Sequence, residues 1–406
     1  AQGSARAQVE VLGTSLTRNV TLMNNVTYLQ VSGQTDVAAG VALSMPQGVV
    51  WKFSPGTWMD INGVLQADGT PSNPVYLTSY RDDSVGGDSN YDGPSQGVAG
   101  DWEYIYFSDS VVDSMTHLDG VTLRYAGGKQ RGINTAVYIV NANPTIQNSV
   151  ISDNNTPGFY LQQSSSSLLN NRIENNAGAG IQLYYNTFPL IKGNTLVNNQ
   201  HGIYASSSES KAQLEENTIQ NNKEWGVYFE QGYQMPVLKG NQVTGNGSGL
   251  AIPLNSMPNA ADNNVLMPNG RNAIWLRGMG RSSDLTLDVL KSESDEQSVY
   301  VLTGAASLNS GVTLTVQPGV SMKFENDSYL DINGVLKSVG TQAKPIIYTS
   351  VLDDSAGGDT NLDGYATRPA PGNWSGLRFQ DSAPDNQSQI EYSKVRYATE
   401  GFYAYA

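Results

Sequence analysis

Short apolar runs and polar turn residues alternate along the chain, and between residues 148 and 246 they do so at a fixed period. Five phrases there begin with asparagine: N-S-V-I-S-D-N at Asn148, N-R-I-E-N-N at Asn171, N-T-L-V-N-N at Asn194, N-T-I-Q-N-N at Asn217 and N-Q-V-T-G-N at Asn241. The leading asparagines are separated by 23, 23, 23 and 24 residues (171−148, 194−171, 217−194, 241−217). A period in the low twenties with strand-like interiors predicts a solenoid, in which each coil packs only against its neighbours.

Each coil also carries a glycine followed by a strand, whose side chains point alternately to two faces. Apolar residues stand one and three positions after the glycine and are predicted to face inside: Phe159/Leu161, Ile181/Leu183, Ile203/Ala205, Val227/Phe229 and Leu250/Ile252. The residue two positions after each leading asparagine gives a second predicted interior column: Val150, Ile173, Leu196, Ile219 and Val243. We expect the asparagine itself to sit at a bend and to bond the equivalent asparagine of the next coil, forming an Asn ladder.

A longer repeat contains the coils. The phrase W-M-D-I-N-G-V at 58–64 returns as Y-L-D-I-N-G-V at 329–335, and D-D-S-V-G-G-D-S-N-Y-D-G at 82–93 returns as D-D-S-A-G-G-D-T-N-L-D-G at 353–364. The second pair is offset by 271 residues (353−82). We therefore predict a tandem superrepeat of about 271 residues, with a first unit over 1–255, a boundary over 256–283 where the coil period breaks, and the start of a second unit over 284–406.

Composition narrows the class of protein. Charged residues are 15% of the 406, there are 42 glycines, and the net charge is −14. This fits a turn-rich all-β chain, and the acidic balance argues against a nucleic-acid partner. The chain has no cysteine, hence no disulfides, and no apolar run long enough for membrane insertion.

The strongest chemical motif is D-x-N-x-D-G, which occurs twice. Asp88, Asn90 and Asp92 precede Gly93, and the second copy repeats the pattern with Asp359, Asn361 and Asp363 before Gly364. Oxygen ligands at alternate positions followed by glycine resemble the start of a Ca²⁺-binding loop, although Ala99 and Ala370 replace its terminal glutamate. We expect the neighbouring carboxylates to complete two structural Ca²⁺ sites: Asp82, Asp83, Asp353 and Asp354. The alternative is a loop that only turns and is solvated.

Tyrosines recur two positions after the coil glycine, where side chains are predicted to face outward. The column contains Tyr160, Tyr204 and Tyr228, and Tyr138, which stands 22 residues before Tyr160 (160−138), extends it. Aromatic faces stack on sugar rings, so this column is a candidate carbohydrate surface. The rings could instead stack on each other across coils, or be covered by a neighbouring module.

The N-x-x-x-N-N coils with their G-I or G-V strands resemble the right-handed parallel β-helix repeat family. The flanking text, including P-G-V-x-M-K-F and P-G-N-W-S-G-L-R-F, is similar to modules of large bacterial extracellular, adhesin-like surface proteins. The resemblance implies a right-handed parallel β-helix. Proteins of that fold include polysaccharide lyases, glycoside hydrolases, phage tailspikes and non-enzymatic surface fibres, so it does not decide function.

We expect a secreted or cell-surface, Ca²⁺-stabilised module for adhesion or for extracellular fibre or matrix structure. Its expected partners are a polysaccharide, neighbouring modules of the same protein, or further copies in a fibre. The alternative is a polysaccharide lyase or glycoside hydrolase that uses the β-helix groove. No two carboxylates stand at a spacing that suggests hydrolysis, and no catalytic residue is identified, which favours the non-enzymatic reading.

Overall fold

The computed structural model describes residues 8–130, 132–206, 209–289, 298–364 and 366–405. The chain divides into two compact units, Ala1–Ser206 with Ser210–Lys223, and Ser207–Glu209 with Glu224–Ala406. The described residues form short β-strands and three 3₁₀ turns, Asp113–Met115, Leu254–Ser256 and Ala260–Asp262. None of these described helical segments is long and apolar enough to cross a membrane.

The first unit is a parallel β-solenoid with three sheets, since each coil contributes one strand to each sheet. The asparagine sheet contains, in spatial order, Gln8–Leu12, Thr27–Ser32, Val50–Phe53, Val75–Ser79, Val121–Arg124, Val150–Ser152, Arg172–Glu174, Thr195–Val197 and Thr218–Gln220. The tyrosine sheet contains Ser15–Leu16, Gln34–Val37, Trp58–Ile61, Ile105–Phe107, Val137–Val140, Phe159–Gln162, Ile181–Tyr184 and Ile203–Ser206. The third sheet contains Val20–Thr21, Ala42–Pro46, Val64–Asp68, His117–Asp119, Thr145–Gln147, Ser167–Leu169, Leu190–Lys192 and Gln213–Glu215.

The second unit is also a parallel β-solenoid. Its main sheet contains Trp225–Phe229, Ser248–Pro253, Arg271–Arg277, Ser298–Thr303, Val320–Phe324, Ile346–Ser350 and Ser393–Val395. A second sheet contains Gly280–Arg281, Ala305–Leu308, Tyr329–Ile332, Gly376–Phe379 and Phe402–Ala404, and a further one contains Leu285–Leu287, Thr313–Val316, Val335–Val339 and Gln389–Glu391. The strands Val237–Lys239 and Gln242–Thr244 belong to the same unit.

The segment 256–283, predicted as a boundary, forms part of the second unit. Arg271–Arg277 pairs in parallel with Ser248–Pro253 on one side and Ser298–Thr303 on the other. Asn264 and Asn269 accept side-chain hydrogen bonds from Asn241 and Asn246 at 3.0 and 3.1 Å. The repeated sequence pattern changes here because the turns between strands differ. The parallel strand pairing and the Asn–Asn hydrogen bonds continue through the segment.

The predicted interior columns form the core. The residues flanking the outward tyrosine position, such as Phe159, Ile181 and Phe229, have no exposed surface. The prediction is wrong at one residue: Val150 is partly exposed and pairs with Arg172, whereas Ile151 pairs with Ile173 and is fully buried. The first coil is shorter, with 22 residues from Ser149 to Asn171, so the interior position shifts by one.

The Asn ladder is present and is doubled. Nδ2 of Asn171 donates to Oδ1 of Asn194 at 3.0 Å, and Asn194 donates to Asn217 at 3.1 Å. Asn148 is outside this ladder, because Ser149 occupies the ladder position. Ser149 accepts no hydrogen bond from a ladder asparagine, and its backbone N–H donates to Oδ1 of Asn171. A second ladder runs along the other edge of the asparagine sheet through Asn154, Asn176, Asn199 and Asn222.

The left-handed conformation at each bend belongs to the residue before the ladder asparagine. Asn170, Gly193 and Glu216 have φ of 54°, 67° and 54° and immediately precede Asn171, Asn194 and Asn217. We predicted both roles for one asparagine, but they fall on two neighbouring residues. The first residue turns the chain, and the second places its amide between coils.

Candidate metal-binding loops and aromatic surfaces

The superrepeat builds one local framework twice. Phe53 stacks on Trp102 with ring centroids 4.0 Å apart, and Phe324 stacks on Trp374 at the same 4.0 Å. Nε1 of Trp102 donates to the Arg124 carbonyl at 2.9 Å, and Nε1 of Trp374 donates to the Arg396 carbonyl at 2.8 Å. All four rings are fully buried. In each copy, the tryptophan that follows the acidic loop is thereby packed on a strand that comes earlier in the chain and is bonded to backbone that comes later.

A buried lysine lies beneath each acidic loop. Nζ of Lys52 donates to the Gly87 carbonyl at 2.5 Å and lies 4.0 Å from Oδ1 of Asp83. Nζ of Lys323 donates to the Gly358 carbonyl at 2.6 Å and to Oγ1 of Thr360 at 3.0 Å. Burial lowers the pKa of both ammonium groups, that of Lys323 to about 8, although nearby carboxylates oppose the shift.

These lysines were not among the residues predicted from sequence. A signal was available, because Lys323 follows Lys52 at the same 271-residue offset as the loops (323−52). An isolated lysine between apolar strand residues is ordinarily read as solvated, and only the structure shows that both have no exposed surface.

The first carboxylate of each loop is separated from the rest. Asp82 is buried and accepts from Oγ1 of Thr78 at 2.6 Å, Oγ of Ser84 at 2.6 Å and Nε of Arg124 at 2.8 Å. Asp353 likewise accepts from Thr349 and Ser355 and pairs with Arg396 at 3.4 Å. Burial raises the pKa of Asp353, but the hydrogen bonds and Arg396 outweigh it and the net pKa is lowered. Both predicted ligands therefore have their oxygens occupied by the protein.

The other first-loop residues converge. Carboxylate oxygens of Asp83, Asp88 and Asp92 all lie within 4.8 Å of one another. Nδ2 of Asn90 donates to Asp92 at 2.8 Å, which holds the amide beside the cluster. Oδ1 of Asp83 and Oδ1 of Asn90 are buried and accept no hydrogen bond within the described residues.

The second loop repeats only part of this pattern. Among the described residues, Asp354, Asp359 and Asp363 do not form an equally close group of carboxylates, and Asp363 accepts from the backbone N–H groups of Ala366 and Thr367. Oδ1 of Asp354 and Oδ1 of Asn361, in the positions equivalent to Asp83 and Asn90, are buried and accept no hydrogen bond from the described residues. Asp359 accepts from the Gly364 N–H at 2.8 Å, and Asn361 donates to Asp363 at 2.9 Å. Desolvation raises the pKa of Asp354, and the charges of Asp359, Asp363 and Asp353 add to that effect against Lys323.

This donor set fits a hard divalent cation. The oxygens come from carboxylates and an amide, the ligands that Ca²⁺ takes, and four of them across the two loops accept no hydrogen bond from the described residues. A buried acceptor without a donor costs about 1–3 kcal/mol. Asp83, Asp88, Asn90 and Asp92 would hold a cation in the first loop, and Asp354, Asp359, Asn361 and Asp363 in the second.

The tyrosine column is continuous over only part of its predicted length. Tyr138 pairs in register with Tyr160 and with Tyr106, which was missed because its strand precedes the regular coils. Tyr106 and Tyr138 lie 5.4 Å apart, and Tyr138 and Tyr160 lie 5.3 Å apart in an edge-on arrangement. Desolvation raises the pKa of all three phenols. Tyr138 and Tyr160 also line a cleft of about 260 Å³ with Ile133 and Asn134.

The remaining two predicted tyrosines have other neighbours. Gln182 stands between Tyr160 and Tyr204 in the strand register, and the Tyr204 ring lies 5.0 Å from His201. Tyr228 belongs to the second unit, where its ring lies 5.1 Å from Trp225 and its hydroxyl accepts from Arg277 at 2.8 Å. The four tyrosines therefore do not form one surface of equivalent residues.

A family model that covers part of the chain agrees with this architecture. Residues 108–266 match the family described as the right-handed β-helix region. No curated protein matches the chain. Among solved structures, the chain is similar to the crystal structure of the periplasmic alginate epimerase AlgG, with 13% identity, a TM-score of 0.33, and coverage of 94% of this chain and 77% of that one. The match over 108–266 and the parallel coils with their stacked asparagines together support membership of the right-handed β-helix repeat family.

Proposed function

We propose that this chain is an extracellular, non-enzymatic β-helix module whose two acidic loops each bind one Ca²⁺ ion, and that it serves adhesion or fibre and matrix structure. The observation that carries the proposal is the duplication of the loops. Each copy leaves the same two oxygens without a donor, on the aspartate next to the buried lysine and on the central asparagine. A loop that was only solvated would have no reason to keep this arrangement twice.

A structural role for the ion follows from its surroundings. The ions would lie in loops tied to the Phe–Trp framework and to a buried lysine, and would fix long insertions that otherwise have little regular structure. A lyase would need a base that reaches its substrate. Lys52 and Lys323 are adjacent to the loops but have no exposed surface, so neither can act in this way.

Calcium titration by calorimetry tests the metal sites. We expect two ions per chain and a lower melting temperature in EGTA than in Ca²⁺. Asp88→Asn and Asp359→Asn should each remove one ion, whereas the exposed Asp109→Asn and Asp385→Asn, outside the loops, should remove none. Equal melting temperatures in EGTA and Ca²⁺, with no bound calcium by elemental analysis, would reject the sites.

A panel of acidic and neutral polysaccharides tests the absence of catalysis. Products would be followed by the absorbance of unsaturated sugars for a lyase and by reducing ends for a hydrolase, with and without Ca²⁺. We expect no turnover. Reproducible turnover of any of these substrates would replace the scaffold proposal with the enzymatic alternative.

Carbohydrate binding at Tyr138 and Tyr160 is a secondary proposal, supported by the cleft that they line. Tyr204 and Tyr228 have different neighbours and would contribute to separate surfaces. Tyr160→Ala should weaken retention of the protein on an immobilised polysaccharide, while Tyr185→Ala, at a nearby exposed residue outside the column, should not. Equal retention of both variants would leave the rings with a packing role only.

A further inference from the structure

The strand Arg271–Arg277 carries basic and aromatic side chains on the face opposite Ile274 and Leu276, where the Trp275 ring is itself buried in an apolar cluster with Val299 and Val301. Ile274 and Leu276 point inward and are 1% and 0% exposed. Because side chains alternate along a strand, Arg271, Trp275 and Arg277 share the outer face. This row lies in the main sheet of the second unit, where the charge of Asp359 from the second acidic loop acts on Arg271 and Val351 packs with Trp275.

Aromatic rings surround the two guanidinium groups. The Arg271 guanidinium lies 5.2 Å from the Trp275 ring and 5.8 Å from the Trp225 ring, and the two indoles are perpendicular at 6.1 Å. The Arg277 guanidinium lies 5.0 Å from the Tyr228 ring. We call Trp225, Tyr228, Arg271, Trp275 and Arg277 the basic aromatic strip.

Three N–H groups of the strip lack an acceptor. Nε of Arg271, Nε1 of Trp275 and Nε of Arg277 are buried and make no hydrogen bond within the described residues. Each unpaired buried donor costs about 1–3 kcal/mol. The unpaired atoms of the acidic loops are oxygens, whereas those of the strip are donors, so the strip complements a ligand rich in acceptors.

The nearby carboxylates of Asp359 and Glu325 do not accept hydrogen bonds from these three donors. Asp359 raises the pKa of Arg271 against the larger effect of desolvation, and Arg277 lowers the pKa of Glu325 against its burial. Neither carboxylate forms an ion pair with these arginines within the described part of the chain, and the positive charge of the strip remains available in a protein with a net charge of −14.

We propose that the basic aromatic strip binds an acidic carbohydrate. Sugar rings would pack on Trp225 and Tyr228, and their carboxylate or sulfate oxygens would accept from the partly exposed guanidinium groups of Arg271 and Arg277. Six residue steps along the strand place the two arginines roughly 20 Å apart at Cα, which suits an extended chain better than a single small anion. This inference goes beyond the proposed function, because it does not depend on Ca²⁺ in the loops.

Tryptophan fluorescence and calorimetry test the site with defined probes. Oligogalacturonate presents carboxylates and chondroitin sulfate oligosaccharides present sulfates as well, while cello-oligosaccharides, inorganic sulfate and poly-glutamate are the comparisons. Titration in EGTA prevents Ca²⁺ from bridging protein and sugar, and a parallel series in Ca²⁺ shows whether the loops matter. We expect one or both acidic oligosaccharides to bind in EGTA, and the neutral sugar, the free anion and the peptide to bind at least about tenfold more weakly.

Variants separate the strip from general charge effects. Arg271→Gln and Trp225→Ala should each weaken binding by about tenfold or more, and Arg277→Lys, which keeps the charge but removes Nε, should also weaken it. Arg172→Gln, an exposed arginine of the first unit, is the matched control and should bind normally. Equal binding of neutral sugar, sulfate or poly-glutamate, or unchanged binding by folded Arg271→Gln and Arg277→Lys, would overturn the proposal. Because the titrations are done without Ca²⁺, their failure is distinct from failure of the metal sites.

Discussion

Asparagine has two roles in this protein, and they fall on neighbouring residues. At a bend such as 170–171, the first residue adopts φ of 54° and the second places its amide between coils. Gly193 occupies the turning position in the next coil, where a Cβ would lie 2.3 Å from Oδ1 of Asn170. The turning position is asparagine, glycine and glutamate in three successive coils, and a side chain at Gly193 would clash with Asn170, whereas the ladder position in the same coils is asparagine at 171, 194 and 217.

Removing one ladder amide should cost more than one hydrogen bond. In Asn194→Ala the backbone N–H and the amide of Asn171 both lose their acceptor, and the Leu168 carbonyl loses a donor. We expect the free energy of unfolding to fall by about 3 kcal/mol, measured by urea denaturation. Lys223→Ala, at an exposed residue, is the control and should change it by less than about 0.5 kcal/mol. Similar small effects for both variants would contradict the ladder's role.

The buried ammonium group of Lys323 should make the free energy of unfolding depend on pH. Its pKa is lowered from 10.5 to about 8 in the folded protein, so between these values the unfolded chain binds more protons. The free energy of unfolding should therefore rise as pH increases from about 8 to about 10, and the penalty should be fully present below about pH 8. Urea titrations at both pH values check this, with Lys323→Met expected to show a weaker rise. A flat or falling profile in the wild type would contradict the burial of a charged lysine.

At the scale of the element, each acidic loop contains one carboxylate bonded within the protein and others that we propose to bind a cation. Asp82 and Asp83 are adjacent in sequence, yet Asp82 is buried and accepts from the partly exposed Arg124, whereas Asp83 faces Lys52 and the loop. This division recurs in Asp353 and Asp354. Adjacent identical residues can therefore be distinguished by experiment.

Substitution of Asp82 and substitution of Asp83 should have different effects on the melting temperature in Ca²⁺ and in EGTA. Asp82→Asn should lower the melting temperature equally with and without Ca²⁺, because it weakens a buried pair with Arg124. Asp83→Asn should instead reduce the difference between the two conditions and remove one calcium from the stoichiometry. Calorimetric scans of both variants in Ca²⁺ and in EGTA make the comparison. Loss of calcium in Asp82→Asn alone would reverse the assignment.

On the scale of the whole molecule, each coil contacts only its neighbours, so damage should stay local. Hydrogen exchange in the native Asn194→Ala protein should increase in the adjoining coils, from about residue 168 to about residue 222. It should remain unchanged around Phe324 and Trp374, whose stack belongs to another coil and another unit. A uniform increase along the chain would indicate that the solenoid unfolds as a single cooperative body.

The fold could be predicted largely from sequence, because a solenoid repeats its local rules. The interior columns, the superrepeat and the ladder all followed from spacing. The misplacement of Val150 came from counting from Asn148, since a coil with one residue fewer is visible only through strand register. The candidate sites were less predictable. Asp82 and Asp83 carry the same side chain, and Lys52 acquires its role from burial, which single-sequence patterns do not report.

The ladder also has a consequence for inheritance. Each interior asparagine offers an acceptor to the coil before it and a donor to carbonyls of the same neighbour, so one coil presents nearly the same edges as the next. An in-frame duplication or loss of one coil, cut at the ladder, would restore both edges without any compensating substitution. Recombination between such segments would change the number of coils while leaving the pattern of each coil unaltered. Closely related forms of this protein are therefore expected to differ in coil number before they differ in the residues of the ladder.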